Sequence, residues 1–214
     1  MTDTIGTDTL VDWITRFGDA VTEKREWLTE LDSAIGDADH GANMARGMAA
    51  VRDKLGAGAP ATADELLKSV GMTLVSSVGG ASGPLYGTFF LRMGMTTGAV
   101  SELDAAGLAA ALRAGLEGIV ARGKAEAGDK TMFDAMAPAV DALDAAIAEG
   151  ADLATATRKA ADAAAAGRDA TEPLVARKGR ASYLGERSAG HLDPGAASTA
   201  ILFDTLTAAI SGSS

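Results

Sequence analysis

Three aspartates, Asp32, Asp37 and Asp39, fall within eight residues in the stretch LDSAIGDADHGANM, residues 31–44. Carboxylates held that close repel one another, and a cation relieves the repulsion. Oxygen ligands in a chain without cysteine select a hard ion, Mg2+ first and Ca2+ second. Gly36, between the first two acids, is the flexible point that lets them converge. An EF-hand does not fit: the twelfth residue counted from Asp37 is Met48, and from Asp32 it is Asn43, where a bidentate Glu is required. Taken singly, Asp39 also suits a helix N-cap. Mg2+ usually shares its coordination shell with substrate phosphates, so the three aspartates predict a phosphate-bearing ligand.

Other segments supply what such a ligand needs. GGASGP, residues 79–84, offers bare backbone N–H groups at the start of a helix, a setting that favours phosphate. Gly123, Gly128, Lys130 and Thr131 nearly spell a Walker P-loop, but Asp129 is inserted before the lysine and the preceding segment reads as helix rather than strand. Gly123 and Met132 fit better as small and apolar surfaces for a flat base. In an acidic chain, Arg177, Lys178, Arg180 and Arg187 precede His191, Asp193, Pro194 and Gly195, and basic groups there suit a phosphoryl group in transfer. Hydrolytic readings lack support: there is no G-x-S-x-G elbow around Ser82 and no H-E-x-x-H zinc spacing.

The elements that must position these residues read as helix almost throughout. Eight segments rich in Ala, Leu, Met, Glu and Arg carry apolar residues at three and four spacing, near 8–31, 42–55, 63–78, 84–98, 103–121, 131–148, 152–168 and 195–211. No segment alternates with period two, so the expectation is an all-α fold. Plain links (GAGAPAT, GAVSE, EGAD) alternate with chemically rich ones (DSAIGDADHGAN, SSVGGASGP, RGKAEAGDKTM, RKGRASYLGERSAGHLDPG). If the helices run up and down, alternate links meet at one end, and all four rich loops converge there.

With 214 residues, 47% apolar content and no compositional break, the chain is expected to form a single domain over 1–214. The start MTDTIGTDTL lacks the basic and apolar regions of a signal peptide, which favours the cytoplasm. No apolar run is long enough for a membrane span, so no membrane partner is expected. A net charge of -10 and 4% aromatic content argue against nucleic acid as a partner.

Together, IGDADHGANM, SSVGGASGPLYGTFF, GDKTM and ARKGRASYLGERSAGHLDPGAAS resemble, in order and spacing, the signature blocks of the nucleotide-binding L subunits of bacterial dihydroxyacetone kinases. The resemblance covers nearly the whole chain. It implies an eight-helix antiparallel up-and-down barrel with the nucleotide, ADP or ATP, at one end. It implies that Asp32, Asp37 and Asp39 bind two Mg2+ ions, and that His40, Gly41, Ala42 and Asn43 contact phosphate at a helix start. Ala81 and Ser82 would hold phosphate through the glycine turn, and Gly123 and Met132 would border the adenine. Arg180 would assist transfer as the catalytic residue and, with Asp193, Pro194 and Gly195, close over the nucleotide. The implied partners are a K subunit that binds dihydroxyacetone covalently through a histidine and the phosphohistidine donor, or M subunit, of the sugar phosphotransferase system, with ADP retained as a coenzyme. Two alternatives stand beside this. One is an ATP-exchanging L subunit serving another short ketose or tetrose; the other is a regulatory module whose partner is a transcriptional regulator.

Overall fold

The computed structural model describes residues 4–212. They form α1 (Thr7–Glu23), α2 (Arg25–Ile35), α3 (His40–Gly56), α4 (Ala63–Ser77), α5 (Ser82–Thr97), α6 (Ala105–Gly123), α7 (Phe133–Ala148), α8 (Leu153–Ala170) and α9 (Pro194–Gly212). Two three-residue strands, β1 (Thr4–Gly6) and β2 (Glu102–Asp104), pair antiparallel with Ile5 opposite Leu103. This small ribbon is outside the helical expectation; three residues are too few for an alternating pattern to register. The all-α reading otherwise holds.

The first expected helix, 8–31, is two helices broken at Lys24. Residues Thr22 to Glu26 are exposed, so no apolar contact straightens the chain there, and Lys24 leaves helical geometry with φ -91 and ψ 13. The apolar stripe conceals the break. Val21 and Leu28 are both buried and seven residues apart, so the helical period continues across it.

From α3 to α9 each helix packs against the next, while α9 returns onto α1 and α1 onto α3. Short connections make consecutive neighbours antiparallel. α6 and α8 start at side-chain caps, with Asp104 accepting from the Gly107 N–H and Asp152 from the Thr155 N–H, each at 2.7 Å. Within the ring lie Trp13, Phe17, Tyr86, Phe89, Phe90 and Phe203, all essentially inaccessible. The Trp13 indole keeps its polar atom satisfied by donating to the Leu202 carbonyl at 2.9 Å. α9 is buried around most of its circumference, as its apolar sequence requires. Among the described residues no helix is long and apolar enough to cross a membrane.

Helices α4 and α5 approach where both lack side chains. A Cβ on Gly87 would overlap the Val75 methyl and lie 2.9 Å from the Gly71 carbonyl oxygen. Gly87→Ala is expected to destabilise the fold by about 1–3 kcal/mol through overpacking. A lower urea midpoint at unchanged slope is the measurement that checks it.

Candidate functional site

The rich loops do converge. One pocket of about 360 Å³ is lined from the α2–α3 turn, the 79–82 turn, the end of α6, the start of α7, the strap before α9 and the first residues of α9. That volume lies in the range of small-molecule sites.

One side is built on Asp32 near the end of α2. Its Oδ2 accepts the backbone N–H groups of Asp39 at 2.8 Å and His40 at 3.0 Å, which folds the turn back onto the helix. Gly36 is needed there because a Cβ would run into the Asp32 carboxylate. Ala38 is driven to φ 60, the left-handed region that a residue with a side chain adopts at a cost of about 1–3 kcal/mol and that clusters at functional sites. The result gathers Asp32, Asp37 and Asp39 so that one carboxylate oxygen from each lies within 4.8 Å of the others. This donor set, all hard oxygen, fits Mg2+. Asp39 occupies the N-cap position of α3, yet its side chain makes no capping bond.

The buried His40 ring bridges outward and inward. Its Nδ1 is 3.1 Å from the Ser82 hydroxyl and its Nε2 is 3.0 Å from Ser198 Oγ. Burial pushes the His40 pKa down, opposed by the nearby charges of Asp32 and Asp39. The Gly79–Ser82 turn sits against Asn43: a Cβ on Gly79 would lie 2.8 Å from the Asn43 amide oxygen, and Gly80 takes φ +66. Backbone and amide groups are thereby brought to the start of α5.

The other side belongs to α7 and α9. Lys130 is 1% exposed, and its ammonium donates to the carbonyls of Thr171, Glu172, Leu174 and His191. Burial lowers its pKa, with Asp193 and then Glu172 working against the shift. The long segment before α9 is thus strapped down, and it carries two short 3-10 turns within Arg180–Ser188 that meet at Gly185. Asp193 caps α9 by accepting the Ala196 N–H at 2.7 Å. Burial raises its pKa to about 7, the Ala196 bond and Lys130 opposing, Asp134 and Asp32 reinforcing. Arg180 Nη2 pairs with Asp37 at 3.0 Å across the mouth, and the arginine side chain remains 68% exposed.

Of the residues expected in the site, Asp32, Asp37, Asp39, His40, Asn43, Ala81, Ser82, Gly123, Met132, Arg180, Asp193, Pro194 and Gly195 all line the pocket. Gly41 and Ala42 are outside that lining. Gly41 instead faces α2, where a Cβ would overlap the Arg25 carbonyl and sit 2.6 Å from Thr29 Oγ1. Of the basic residues in the last loop, Lys178 and Arg180 line the pocket; Arg177 and Arg187 do not. His191 contributes its carbonyl to Lys130 rather than its ring to the pocket. Ile35 on α2, Leu85 on α5, Ile119 on α6 and Ala125 in the link after α6 give the pocket apolar walls suited to a flat ring, and no motif in the sequence marks them. The structural task of Lys130 was signalled in the sequence only by its lone basic position in GDKTM; its left-handed backbone (φ 62) is visible only in the fold.

The fold and the pocket together define a helical protein with one acidic-walled, glycine-edged site of a size for a small phosphate-bearing ligand. The chain belongs to the DAK2 domain family, which matches residues 34–208. It is 48% identical over 204 residues, 94% of this chain and 95% of the relative, to the ADP-binding subunit DhaL of the PEP-dependent dihydroxyacetone kinase of Escherichia coli (strain K12). It is 45% identical over 199 residues, 93% of this chain and 95% of the relative, to the ADP-binding subunit DhaL of a PTS-dependent dihydroxyacetone kinase from Lactococcus lactis. Among solved structures, the dihydroxyacetone kinase from C. freundii in complex with AMP-PNP and Mg2+ aligns with a TM-score of 0.70 at 28% identity, over 92% of this chain and 33% of that one. This chain therefore spans about a third of that kinase.

Two outcomes follow from the geometry. Lys130→Met leaves carbonyls of the strap without their charged donor and is expected to cost about 3–5 kcal/mol, with faster proteolysis between residues 171 and 193 as the local readout. Asp193 behaves oppositely to a paired surface acid. Because its folded pKa of about 7 lies above the ordinary 3.8, its contribution is full below pH 4 and is lost as the pH rises through 7. Asp193→Asn keeps a capping oxygen without the charge. Its urea midpoint in chelator should therefore gain on that of the wild type between pH 4 and 8, and parallel curves would refute the assignment.

Proposed function

We propose that this chain is the nucleotide-binding subunit of a phosphotransferase-system-dependent dihydroxyacetone kinase and that it acts as a single nucleotide-binding unit. ADP is held as a coenzyme, phosphorylated in place by a phosphohistidine donor protein, and discharged to dihydroxyacetone held by a separate K subunit. One observation carries the reading. The three-aspartate cluster and the glycine turn at the start of α5 open into the same pocket, so cation and phosphate sites adjoin. The names of the relatives from E. coli and L. lactis support the choice of nucleotide and of kinase.

In this reading Asp32, Asp37 and Asp39 hold two Mg2+ ions, which when bound neutralise charge on the phosphates. His40, Asn43, Ala81 and Ser82 orient the phosphates, with the first turn of α3 through Ala42 adding backbone N–H groups. Met132 and Gly123, with Leu85 and Ile119, take the base between apolar surfaces. Arg180 exchanges its bond to Asp37 for the phosphoryl group in transfer and offsets charge there. The pair is exposed, and exposed pairs contribute only about 0–1 kcal/mol, so breaking it costs little. Asp193, Pro194 and Gly195 close the side formed by α9.

The test is direct. The chain, purified in Mg2+ without added nucleotide, dialysed and then denatured, should release near-stoichiometric ADP, and chelation before dialysis should remove it. Asp37→Ala should lose both retention and phosphoryl transfer. An initially empty protein that exchanges ATP would replace the coenzyme reading, and failure to bind either nucleotide would end the kinase reading.

A further inference from the structure

Behind the pocket wall, a hydrogen-bonded series runs from Ser82 into the core. Ser82 Oγ lies 3.1 Å from His40 Nδ1, His40 Nε2 lies 3.0 Å from Ser198 Oγ, and Ser198 Oγ lies 2.8 Å from the Tyr86 hydroxyl. The Tyr86 hydroxyl is also 3.2 Å from Thr199 Oγ1. Ser82 lines the pocket, whereas Tyr86, Ser198 and Thr199 have no exposed surface. The site therefore connects to the contact between α5 and α9 through Tyr86, Ser198 and Thr199, none of which lines the pocket.

Counting hydrogens leaves two orientations for the His40 ring. Each hydroxyl has one, and a neutral imidazole has one. Thr199 donates to the Gly195 carbonyl at 2.8 Å. Burial pushes the Tyr86 phenol up to about 12, so it retains its hydrogen. Ser198 has one hydrogen and three acceptors within reach, the Gly195 carbonyl at 3.0 Å, His40 Nε2 and the Tyr86 oxygen, of which the first and the last have the same consequence for the ring. If it goes to Gly195, Nε2 must be the donor, Nδ1 is bare, and the Ser82 hydrogen is drawn inward, leaving lone pairs facing the pocket. If it goes to Nε2, the ring hydrogen sits on Nδ1 and is given to Ser82, whose own hydrogen then points into the pocket. Only the second orientation suits an anion, which accepts and does not donate. Tyr86 supports it: by giving its hydrogen to Ser198 Oγ the phenol supplies that buried oxygen with a donor, so Nε2 is not required to be one.

We propose that Tyr86 and Ser198 are positioning residues that hold His40 with its hydrogen on Nδ1 and thereby make Ser82 a hydrogen-bond donor to the phosphate of the bound nucleotide. The proposal rests on the nucleotide reading above and adds to it the groups that set the polarity of the site.

The experiment uses the full chain loaded with Mg-ADP and labelled with 15N-histidine, the His40 signals being assigned by their loss in His40→Gln. In the loaded wild type, Nδ1 should carry the hydrogen and Nε2 should not. Tyr86→Phe keeps the ring that packs on Phe17 at 6.0 Å between centroids. It should weaken Mg-ADP binding about fivefold and populate the Nε2–H form, as loss of one buried hydrogen bond does. In a Ser82→Ala background the same substitution should change affinity by less than about twofold, the coupling expected of groups in one network. Ser198→Ala should couple to Ser82→Ala in the same way and stands in should Tyr86→Phe fail to fold; Ser198→Thr, which restores a hydroxyl, should rescue it. A hydrogen on Nε2 in the loaded wild type, or additive effects of the paired substitutions, overturns the relay while the nucleotide reading stands. If the wild type does not bind Mg-ADP, both fall together.

Discussion

The carboxylate of Asp32 fixes the geometry on which the pocket depends. A charged acceptor taking two backbone N–H groups makes a strong pair of bonds, and here they come from Asp39 and His40, the residues at which the chain turns into α3. With the turn fastened to the end of α2, Asp37 and Asp39 are carried to Asp32, Ala38 is forced through the left-handed region, and the His40 ring is set between Ser82 and Ser198. The same carboxylate is a member of the three-acid cluster and holds that cluster together.

The opposite wall uses charge differently. Lys130 is a buried cation beside an acidic pocket, yet its ammonium is committed to four carbonyls of the strap rather than to the aspartates. The negative charge of Asp32, Asp37 and Asp39 is thus not cancelled from within the wall. The cation nearest to them by bond is Arg180, which is exposed and held by a single pair. A permanent internal counter-charge would neutralise the acids, whereas a peripheral, exposed arginine leaves their charge largely available to a cation.

Much of this was legible in the chain. Alternation of plain and rich links is enough to place the rich loops at one end, because the order of antiparallel helices fixes which loops share a side. The aspartates, the glycine turn and the last loop were legible because side-chain chemistry and backbone freedom are local properties. What was hidden depends on packing across the ring. Gly41 sits in the middle of a motif yet works by letting α3 lie on α2; its role is visible only once Arg25 and Thr29 are seen opposite it. Leu85 and Ile119 are ordinary helix-face residues in sequence, Ile35 and Ala125 ordinary apolar residues of links, and nothing separates them from residues that face the core. The break at Lys24 was masked by apolar residues that keep the helical period on both sides.

The return of α9 onto α1 has a consequence for how the protein is made. α9 supplies Asp193, Pro194 and Gly195 at its start and the buried partner of His40 one turn further on, while the acids come from the α2–α3 turn near the other end of the chain. The pocket is therefore closed by contacts of high sequence separation, the kind that form late and slow a fold in proportion to the chain they must span. During synthesis the segment that carries the acids emerges well before α9, so the pocket lacks one of its walls until α9 has joined. A chain that stalls before α9 therefore has no finished pocket.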